Sequence, residues 1–558
     1  MGTAAPASAH AILLRTEPSP QTTVPTSPGA VRLFFSEPVQ GTFGAVRVFD
    51  VEGRRVDAGT TPRPGASRRE LVLPVAGLRA GTYTVTWRVV SDDGHPIRGG
   101  FAFYVEAPST ISAVALPDER SAGRAVDIAA GVARFVWFMA FAVMIGSVVV
   151  RRFVWTPAAD PALRPEPAAV FRRRFRSTVR AAWVVLACAT GLTLAWQAAK
   201  LSGLPLGEAL RPAVLGDVLD TTFGRLWTVS ASLTAALVVP VIAVTRAGRP
   251  FVGRVEAWLV GGAVVAATLA VTVSLSGHAR TDSHPVLAAM SIAVHLSAMA
   301  VWVGGLVALI ILGGPALRAV PGDDRKVVLA RALRRFSPIA IGAVLLLVAT
   351  GTLNSVLGFG SPSDLWRVAY GRAVLAKIVV LVVALAVASR HLLVLPRRLA
   401  TPTGEGAVRS FRRSSVVEAS VLLVAVALAA GLVDLVPGRA VALAAKGPVN
   451  AQRRAGPYVV QLFVDPTTRG DNEIHVTFVD DSGLAAAGVT NVTVTAMDPG
   501  RTTRPVVMRL LAPGHFVGEL TLPEPGRYQL AVDAAHPPTP LTATFVFNLS
   551  ASRLARRN

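Results

Sequence analysis

Eight apolar stretches, each about twenty residues or longer, dominate the middle of this 558-residue chain. A bilayer core about 30 Å thick is crossed by about 20 helical residues, so each stretch is long enough to span it. An eight-helix transmembrane bundle in a lipid bilayer is therefore predicted. The spans lie near 125–150, 178–200, 223–245, 255–276, 286–312, 337–357, 373–396 and 415–436.

The positive charge of the chain is distributed in a way that predicts its orientation. A formal net charge of +22 in a soluble protein would suggest a nucleic-acid partner, but here the arginines lie between apolar runs. The loops after the first, third, fifth and seventh spans are rich in Arg and Lys, which marks the cytoplasmic side. A plasma-membrane protein with both termini outside the cytoplasm, and no nucleic-acid partner, is predicted. The alternate loops carry only Arg211, Arg280, Arg367 and Arg372.

Two regions outside the bundle have the pattern of antiparallel β-structure. Residues 10–108 contain short alternating strands such as YTVTWRVV, separated by Gly and Pro turns, and residues 457–549 repeat this style. Period-2 alternation predicts strands with one buried face, so each region is predicted to be an all-β sandwich. The bundle then occupies 125–436. The remaining segments are a signal-peptide remnant, two linkers and a tail, at 1–9, 109–124, 437–456 and 550–558.

Two independent signals in the first β region favour a metal site. The turn after YTVTWRVV holds Asp93 and His95, which could face one ion or form an ordinary polar turn. Ala7-Ser8-Ala9 has the form of a signal-peptidase site, which would make His10 the first mature residue; the alternative is an Ala-rich tail. The α-amine and Nδ1 of such a histidine chelate one ion together. With a second imidazole and a carboxylate they form a nitrogen-rich, tetragonal set that suits Cu(II).

The membrane spans contain polar residues that are also candidates for metal contact. His278 and His284 lie in the outward loop between the fourth and fifth spans, and His295 and Met299 share one face of the fifth. Intramembrane polar groups are functional candidates, although a lone histidine often makes an interhelical hydrogen bond and methionine is a common apolar filler. Arg134 and Lys377 are further polar groups within spans. Lys377 could repel cations, pair with a carboxylate or extend outward.

The chain resembles a fusion of the CopC and CopD copper-resistance families, as in YcnJ-like copper proteins. The resemblance to CopC rests on His10-Ala11, FFSEPV at 34–39 and WRVVSDDGHPIRGGFAFYV at 87–105. It implies a cupredoxin-like sandwich that binds Cu(II) through His10, Asp93 and His95, with Glu37 beside the metal as a neighbour of the ligands or a weak axial group. Residues 10–106 lack methionine, so a Cu(II)-only region is expected.

The resemblance to CopD covers roughly 125–436 and is strongest at SGHARTDSHPVLAAMSIAVHLSAMAVWVGGL, residues 276–306. It implies passage of copper across the membrane, with Cu(I) as an alternative form of the ion in the bundle. The Gly304-Gly305 pair is expected to permit close helix packing. Residues 457–549 faintly resemble YtkA-like or FixH-like β-domains.

A copper importer is the first functional hypothesis, supplied outside the cell by a copper chaperone or by free ions. The alternative is extracytoplasmic copper sequestration, resistance or sensing, with the bundle as an anchor. An oxidoreductase that reduces Cu(II) ranks last because the spans contain too few histidines for a haem ladder. The chain has no GxxxxGK[ST] phosphate loop, and we expect no enzymatic activity.

Overall fold

The computed structural model contains two β regions and a helical region. The N-terminal and C-terminal β regions group into one unit, and residues 121–438 form a second unit. The structure describes residues 13–20, 22–35, 37–41, 46–52, 54–57, 63–64, 68–92, 94, 96–107, 109, 124–159, 165–246, 252–281, 284–393, 405–435, 437–438, 449–465, 467, 469–480, 486, 488–512, 514–536 and 539–549.

The N-terminal β region consists of two sheets that share one apolar core. One sheet has the order β1-β3-β7-β6, and the other has β2-β9-β8-β4 with β5 also paired to β8. Phe35 of the first sheet meets Trp87 of the second edge to face, with ring centroids 5.5 Å apart. The strands are Leu13–Glu17 (β1), Thr23–Val24 (β2), Ala30–Phe35 (β3), Val39–Gln40 (β4), Val46–Phe49 (β5), Arg63–Pro64 (β6), Glu70–Pro74 (β7), Gly81–Ser91 (β8) and Pro96–Val105 (β9).

The hairpin β8–β9 carries the turn that the sequence analysis singles out. Its antiparallel register pairs Trp87 with Gly99 and Val90 with Pro96. A β-carbon at Gly99 would come within 2.6 Å of the Trp87 ring, so this position needs glycine for the indole to lie flat against the neighbouring strand. The packing fixes the register of the hairpin and therefore where its turn begins.

Eight helices among the described residues are long and apolar enough to cross a membrane, as predicted. Two of them contain a π-helical segment, Val150–Trp155 and Leu309–Gly313. Short helices at Leu206–Ala209, Pro212–Asp220 and Asp364–Arg367 lie between spans. The eight are Ala125–Ala159 (α1), Pro165–Ser202 (α2), Thr222–Arg246 (α3), Ala257–Leu275 (α4), Pro285–Arg318 (α5), Asp324–Gly358 (α6), Ala369–Ser389 (α7) and Phe411–Leu432 (α8).

Helix α2 begins at Pro165, 13 residues before the predicted span at 178–200. The helix that contains α6 begins at Gly322, 15 residues before the predicted span at 337–357. The Arg-rich segments before those spans, interpreted as loops, are helical instead. Arginine and lysine are good helix formers, so a helix can continue past the apolar stretch as long as its backbone hydrogen bonds are made within the helix. Hydropathy therefore locates the apolar part of each helix rather than its ends.

Helices α1 and α5 approach each other through glycine. A β-carbon at Gly146 would lie 2.0 Å from the carbonyl carbon of Gly304, and one at Gly304 would lie 1.9 Å from the Ala142 oxygen. Real β-carbons do not approach other atoms so closely, so the two backbones can touch only because these residues lack side chains. The expectation of close packing at Gly304-Gly305 is confirmed.

A charged cluster joins the ends of α1, α2 and α8. The Arg134 guanidinium donates to both carboxylate oxygens of Asp434, at 3.0 and 3.2 Å, and to the Ala430 carbonyl at 2.6 Å. Lys200 Nζ donates to Asp434 Oδ1 at 3.1 Å. Burial alone raises the pKa of Asp434, but the hydrogen bonds and charges of Arg134 and Lys200 outweigh burial and hold the pKa below its usual value.

We expect Asp434→Asn to destabilise the bundle by about 2 kcal/mol, because it weakens charge-assisted hydrogen bonds to two cations. Thermal unfolding of the detergent-solubilised protein measures this as a lowered Tm. Asp217→Asn, at an exposed aspartate, is the matched control and should leave Tm unchanged. Equal Tm values for the two variants would contradict a stabilising role for the cluster.

The C-terminal β region also has two sheets around one core, with orders β10-β11-β12-β16-β15 and β14-β13-β17-β18. The residues of strand β18 alternate strictly between buried and exposed, which is the pattern of a strand with one face against the core. Strand β10 lies within 437–456, which the sequence analysis treats as a linker. The strands are Val449–Ala455 (β10), Tyr458–Asp465 (β11), Gly470–Val479 (β12), Thr490–Met497 (β13), Thr503–Val506 (β14), Met508–Ala512 (β15), His515–Leu522 (β16), Gly526–Ala535 (β17) and Leu541–Leu549 (β18).

Candidate metal sites

A buried carboxylate lies at the end of the β8–β9 hairpin that carries the predicted metal-binding turn. Glu37 is only 1% exposed, and its Oε2 accepts a hydrogen bond from the Ser91 hydroxyl at 3.4 Å. Ser91 is the last residue of β8 and pairs with Val39. The structure therefore positions Glu37 against the first residues of the turn. The predicted ligands His10, Asp93 and His95 lie outside the described residues.

Asp92, which the sequence analysis leaves out of the ligand set, has a structural role at the start of the turn. Its backbone N–H donates to the Pro38 carbonyl at 3.0 Å. Its Oδ1 accepts from Gln40 Nε2 at 3.5 Å. These bonds tie the start of the turn to β4, on the segment that also carries Glu37.

In the bundle, His295 is held by hydrogen bonds on both ring nitrogens. Its Nδ1 lies 2.9 Å from the Thr350 hydroxyl of α6, and its Nε2 lies 3.3 Å from Nζ of Lys377 on α7. The Thr350 hydroxyl donates to the Leu346 carbonyl, so its oxygen is the acceptor for His295 Nδ1–H. The Nε2 of a neutral imidazole is then the acceptor, and the Lys377 ammonium donates to it.

The sequence analysis does not name His295 as a partner of Lys377. The lone pair of His295 Nε2, through which a metal would bind, is engaged by a cation. The similar distances of His295 and Lys377 from the starts of α5 and α7 could have indicated that these two side chains meet. His295 lies about 15 Å along α5 from its first residue, and Lys377 lies about 12 Å along α7 from its first residue, at a rise of about 1.5 Å per residue.

The two loop histidines, His278 and His284, do not form one centre with His295. His284 immediately precedes the first turn of α5 and is exposed, and eleven residues of helix, about 16 Å, separate it from His295. His278 opens a short 3₁₀-helix, His278–Thr281. The exposed imidazole of His284 and the buried imidazole of His295 are therefore two separate sites along α5.

Met299 lies one helical turn beyond His295 and packs against the bundle core. Met290 belongs to a different face of α5, because it lines an open apolar cavity of about 420 Å³ together with Ala293, Val294, Ser297 and Val301. Neither His295 nor Met299 lines that cavity. Within the described part of the chain, no group of three or more His, Cys, Asp or Glu residues is arranged to hold a metal ion.

Three protein-family models match three stretches of the chain. A model of the CopC domain matches residues 13–106. A model of the copper resistance protein D-like N-terminal domain matches residues 125–284, and a model of copper resistance protein D matches residues 330–432. The matches together cover the N-terminal β region and most of the bundle.

Individual proteins are similar to longer or shorter stretches of the chain. The copper transport protein CutJ of Bacillus subtilis is 26% identical over 388 residues, which are 69% of this chain and 68% of CutJ. Protein YobA of Escherichia coli is 34% identical over 99 residues, 18% of this chain and 80% of YobA. A crystal structure of CopC from Methylosinus trichosporium is 32% identical, covering 18% of this chain and 95% of that one, with a TM-score of 0.16. The chain therefore joins, in one polypeptide, a region that matches the CopC domain and regions that match copper resistance protein D and its N-terminal domain.

Proposed function

We propose that this protein captures Cu(II) outside the cytoplasm and passes it through its membrane bundle into the cell. The N-terminal region would act as a cupredoxin-like sandwich, with His10, Asp93 and His95 as ligands. The buried Glu37 carboxylate supports this assignment, because a negative charge against the turn favours a bound cation. A copper chaperone outside the cell is a candidate donor of the ion.

The observation that carries the transport proposal is the position of His295 within the helix bundle. His278 and His284 would receive the ion at the mouth, and His295 and Met299 would take it deeper, in either oxidation state. His295 is held by α6 and α7 through Thr350 and Lys377. Copper reaches its Nε2 only when Lys377 withdraws, so this contact would act as a gate.

The distribution of charge supports inward transport. Arg-rich loops on one side favour a cytoplasmic location for that side. The potential across a plasma membrane is inward-negative and favours cation entry by about 2.3 kcal/mol per charge per 100 mV. A hydrogen bond between Tyr104 and His515 joins the two β regions, which supports a common, extracytoplasmic side for both.

Cytoplasmic copper in cells that express the protein tests the import proposal. In a strain that lacks the gene, wild type should raise cytoplasmic copper, and His278→Ala/His284→Ala should lose most of this gain because the mouth no longer holds the ion. His536→Ala, in the C-terminal β region, is the control. Unchanged uptake by the double variant would overturn the proposed path.

Sequestration outside the cytoplasm is the second candidate function, and one observation favours it. A Lys377 ammonium 3.3 Å from His295 Nε2 opposes any other cation there. If the bundle is only an anchor, copper tolerance depends on His10, Asp93 and His95, and variants of the membrane histidines behave as wild type.

A further inference from the structure

Four side chains form a continuous hydrogen-bonded row across the contact between the two β regions. The Tyr104 hydroxyl of β9 lies 2.9 Å from Nδ1 of His515 on β16. His515 Nε2 lies 3.1 Å from Nδ1 of His475 on β12, and His475 Nε2 lies 2.9 Å from Oε1 of Glu473. Tyr104, His475 and His515 are at most 5% exposed, whereas the Glu473 side chain is largely exposed.

The carboxylate at the exposed end determines the direction of every hydrogen bond in this row. An ionised Glu473 only accepts, so His475 donates from Nε2 and, when neutral, accepts at Nδ1. His515 then donates from Nε2 and accepts at Nδ1, where the Tyr104 hydroxyl donates. One arrangement with both imidazoles neutral satisfies all four groups. An added proton makes a histidine donate from both ring nitrogens and places a positive charge on a buried ring, which burial disfavours.

The row crosses from one β region to the other at a single bond, Tyr104 to His515. Tyr104 belongs to the sheet of the CopC domain, and the other three residues belong to the C-terminal sheet. We propose that Tyr104, His515 and His475 form a proton-sensitive clasp that docks the C-terminal β region on the copper-capturing region and releases it in mildly acidic medium.

The buried histidines determine the sign of this pH dependence. Burial, together with the nearby His475, lowers the pKa of His515 to about 3. Burial also lowers the pKa of His475, Glu473 opposes that effect and Arg509 on β15 adds to it. Burial raises the pKa of Tyr104, so its hydroxyl remains protonated.

A histidine whose pKa is lowered in the docked form binds a proton more readily when the two β regions are separated than when they are docked. Docking is therefore strongest above pH 6.5, the ordinary histidine pKa, and weakens as the pH falls from there towards the docked value. With an undocked pKa of about 6.5, His515 alone weakens docking about thirtyfold between pH 8 and pH 5.

Distances between spin labels on the two β regions test the clasp in the full-length protein. Labels at exposed positions, Ala76→Cys and Thr544→Cys, are introduced in a Cys188→Ala background, since Cys188 is also exposed. At pH 8 we expect one narrow distance distribution. At pH 5 the distribution should broaden while the near-ultraviolet circular dichroism stays unchanged.

Removal of one hydroxyl provides the matched comparison. Tyr104→Phe should broaden the distribution at pH 8, because His515 loses its partner across the contact. Tyr83→Phe and Tyr528→Phe are controls, since these hydroxyls bond to carbonyls within their own regions, Arg79 and Glu524. A narrow distribution at pH 5, unchanged distances in Tyr104→Phe, or broadening accompanied by loss of the circular dichroism signal would overturn the proposal.

Discussion

His95→Ala is expected to weaken Cu(II) binding by at least about a hundredfold. Loss of groups that only support a metal ligand costs about 10–100-fold in affinity, so loss of the ligand itself should cost no less. The loss of affinity is expected for Cu(II) in particular, because this ion prefers a tetragonal ligand set that is rich in imidazole nitrogen. Competition with a chelator of known affinity, using the purified full-length protein, measures the change.

Asp92→Ala is the matched control for His95→Ala, since Asp92 lies in the same turn and its side chain accepts a hydrogen bond from Gln40. We expect its copper affinity to remain within a few-fold of wild type. Equal losses in the two variants would show that the turn conformation, rather than the His95 imidazole, determines binding. The electron paramagnetic resonance spectrum of the bound Cu(II) should also show the coupling of one nitrogen fewer in His95→Ala alone.

His295→Leu is expected to abolish copper uptake and also to lower the Tm. The substitution removes the proposed ligand in α5, and it leaves the buried Lys377 ammonium without its hydrogen-bond acceptor. A buried donor that loses its acceptor costs about 1–3 kcal/mol, and more when the donor is charged. Uptake into cells and thermal unfolding of the purified protein report the two effects separately.

The double variant His295→Leu/Lys377→Met separates a ligand from a structural partner. Methionine removes the buried charge, so the double variant should recover most of the Tm that His295→Leu loses. If His295 binds the transported ion, uptake stays absent. Recovery of uptake together with Tm would mean that His295 serves only to hold Lys377. Lys377→Met alone should keep uptake, because His295 Nε2 is then free.

Hydropathy and alternation predict the coarse architecture of this chain because they act over many residues at once. Eight long apolar runs produce eight helices, and strands such as β17 and β18 alternate between buried and exposed residues as expected. The ends of α2 and α6 are not predictable in this way, because arginine-rich segments are equally compatible with a loop or a helix.

Contacts between side chains that are distant in the sequence are less accessible to such reasoning. His295 is recognisable as a polar residue in a span, but its pairing with Lys377, 82 residues later, depends on how α5 and α7 pack. His475 and His515 each look like incidental surface histidines. The pairing of β12 with β16 brings them together, and no local pattern encodes that pairing.

The glycine contact between α1 and α5 limits which parts of the bundle can move during a transport cycle. Where two backbones touch without intervening side chains, neither helix can rotate about its axis without overlap, so α1 and α5 must move as one body. Alternating access to His295 would then depend on the helices that hold its ring, α6 through Thr350 and α7 through Lys377. If the bundle transports copper as proposed, the Gly146–Gly304 contact would make α1 and α5 a fixed pair against which the other helices move.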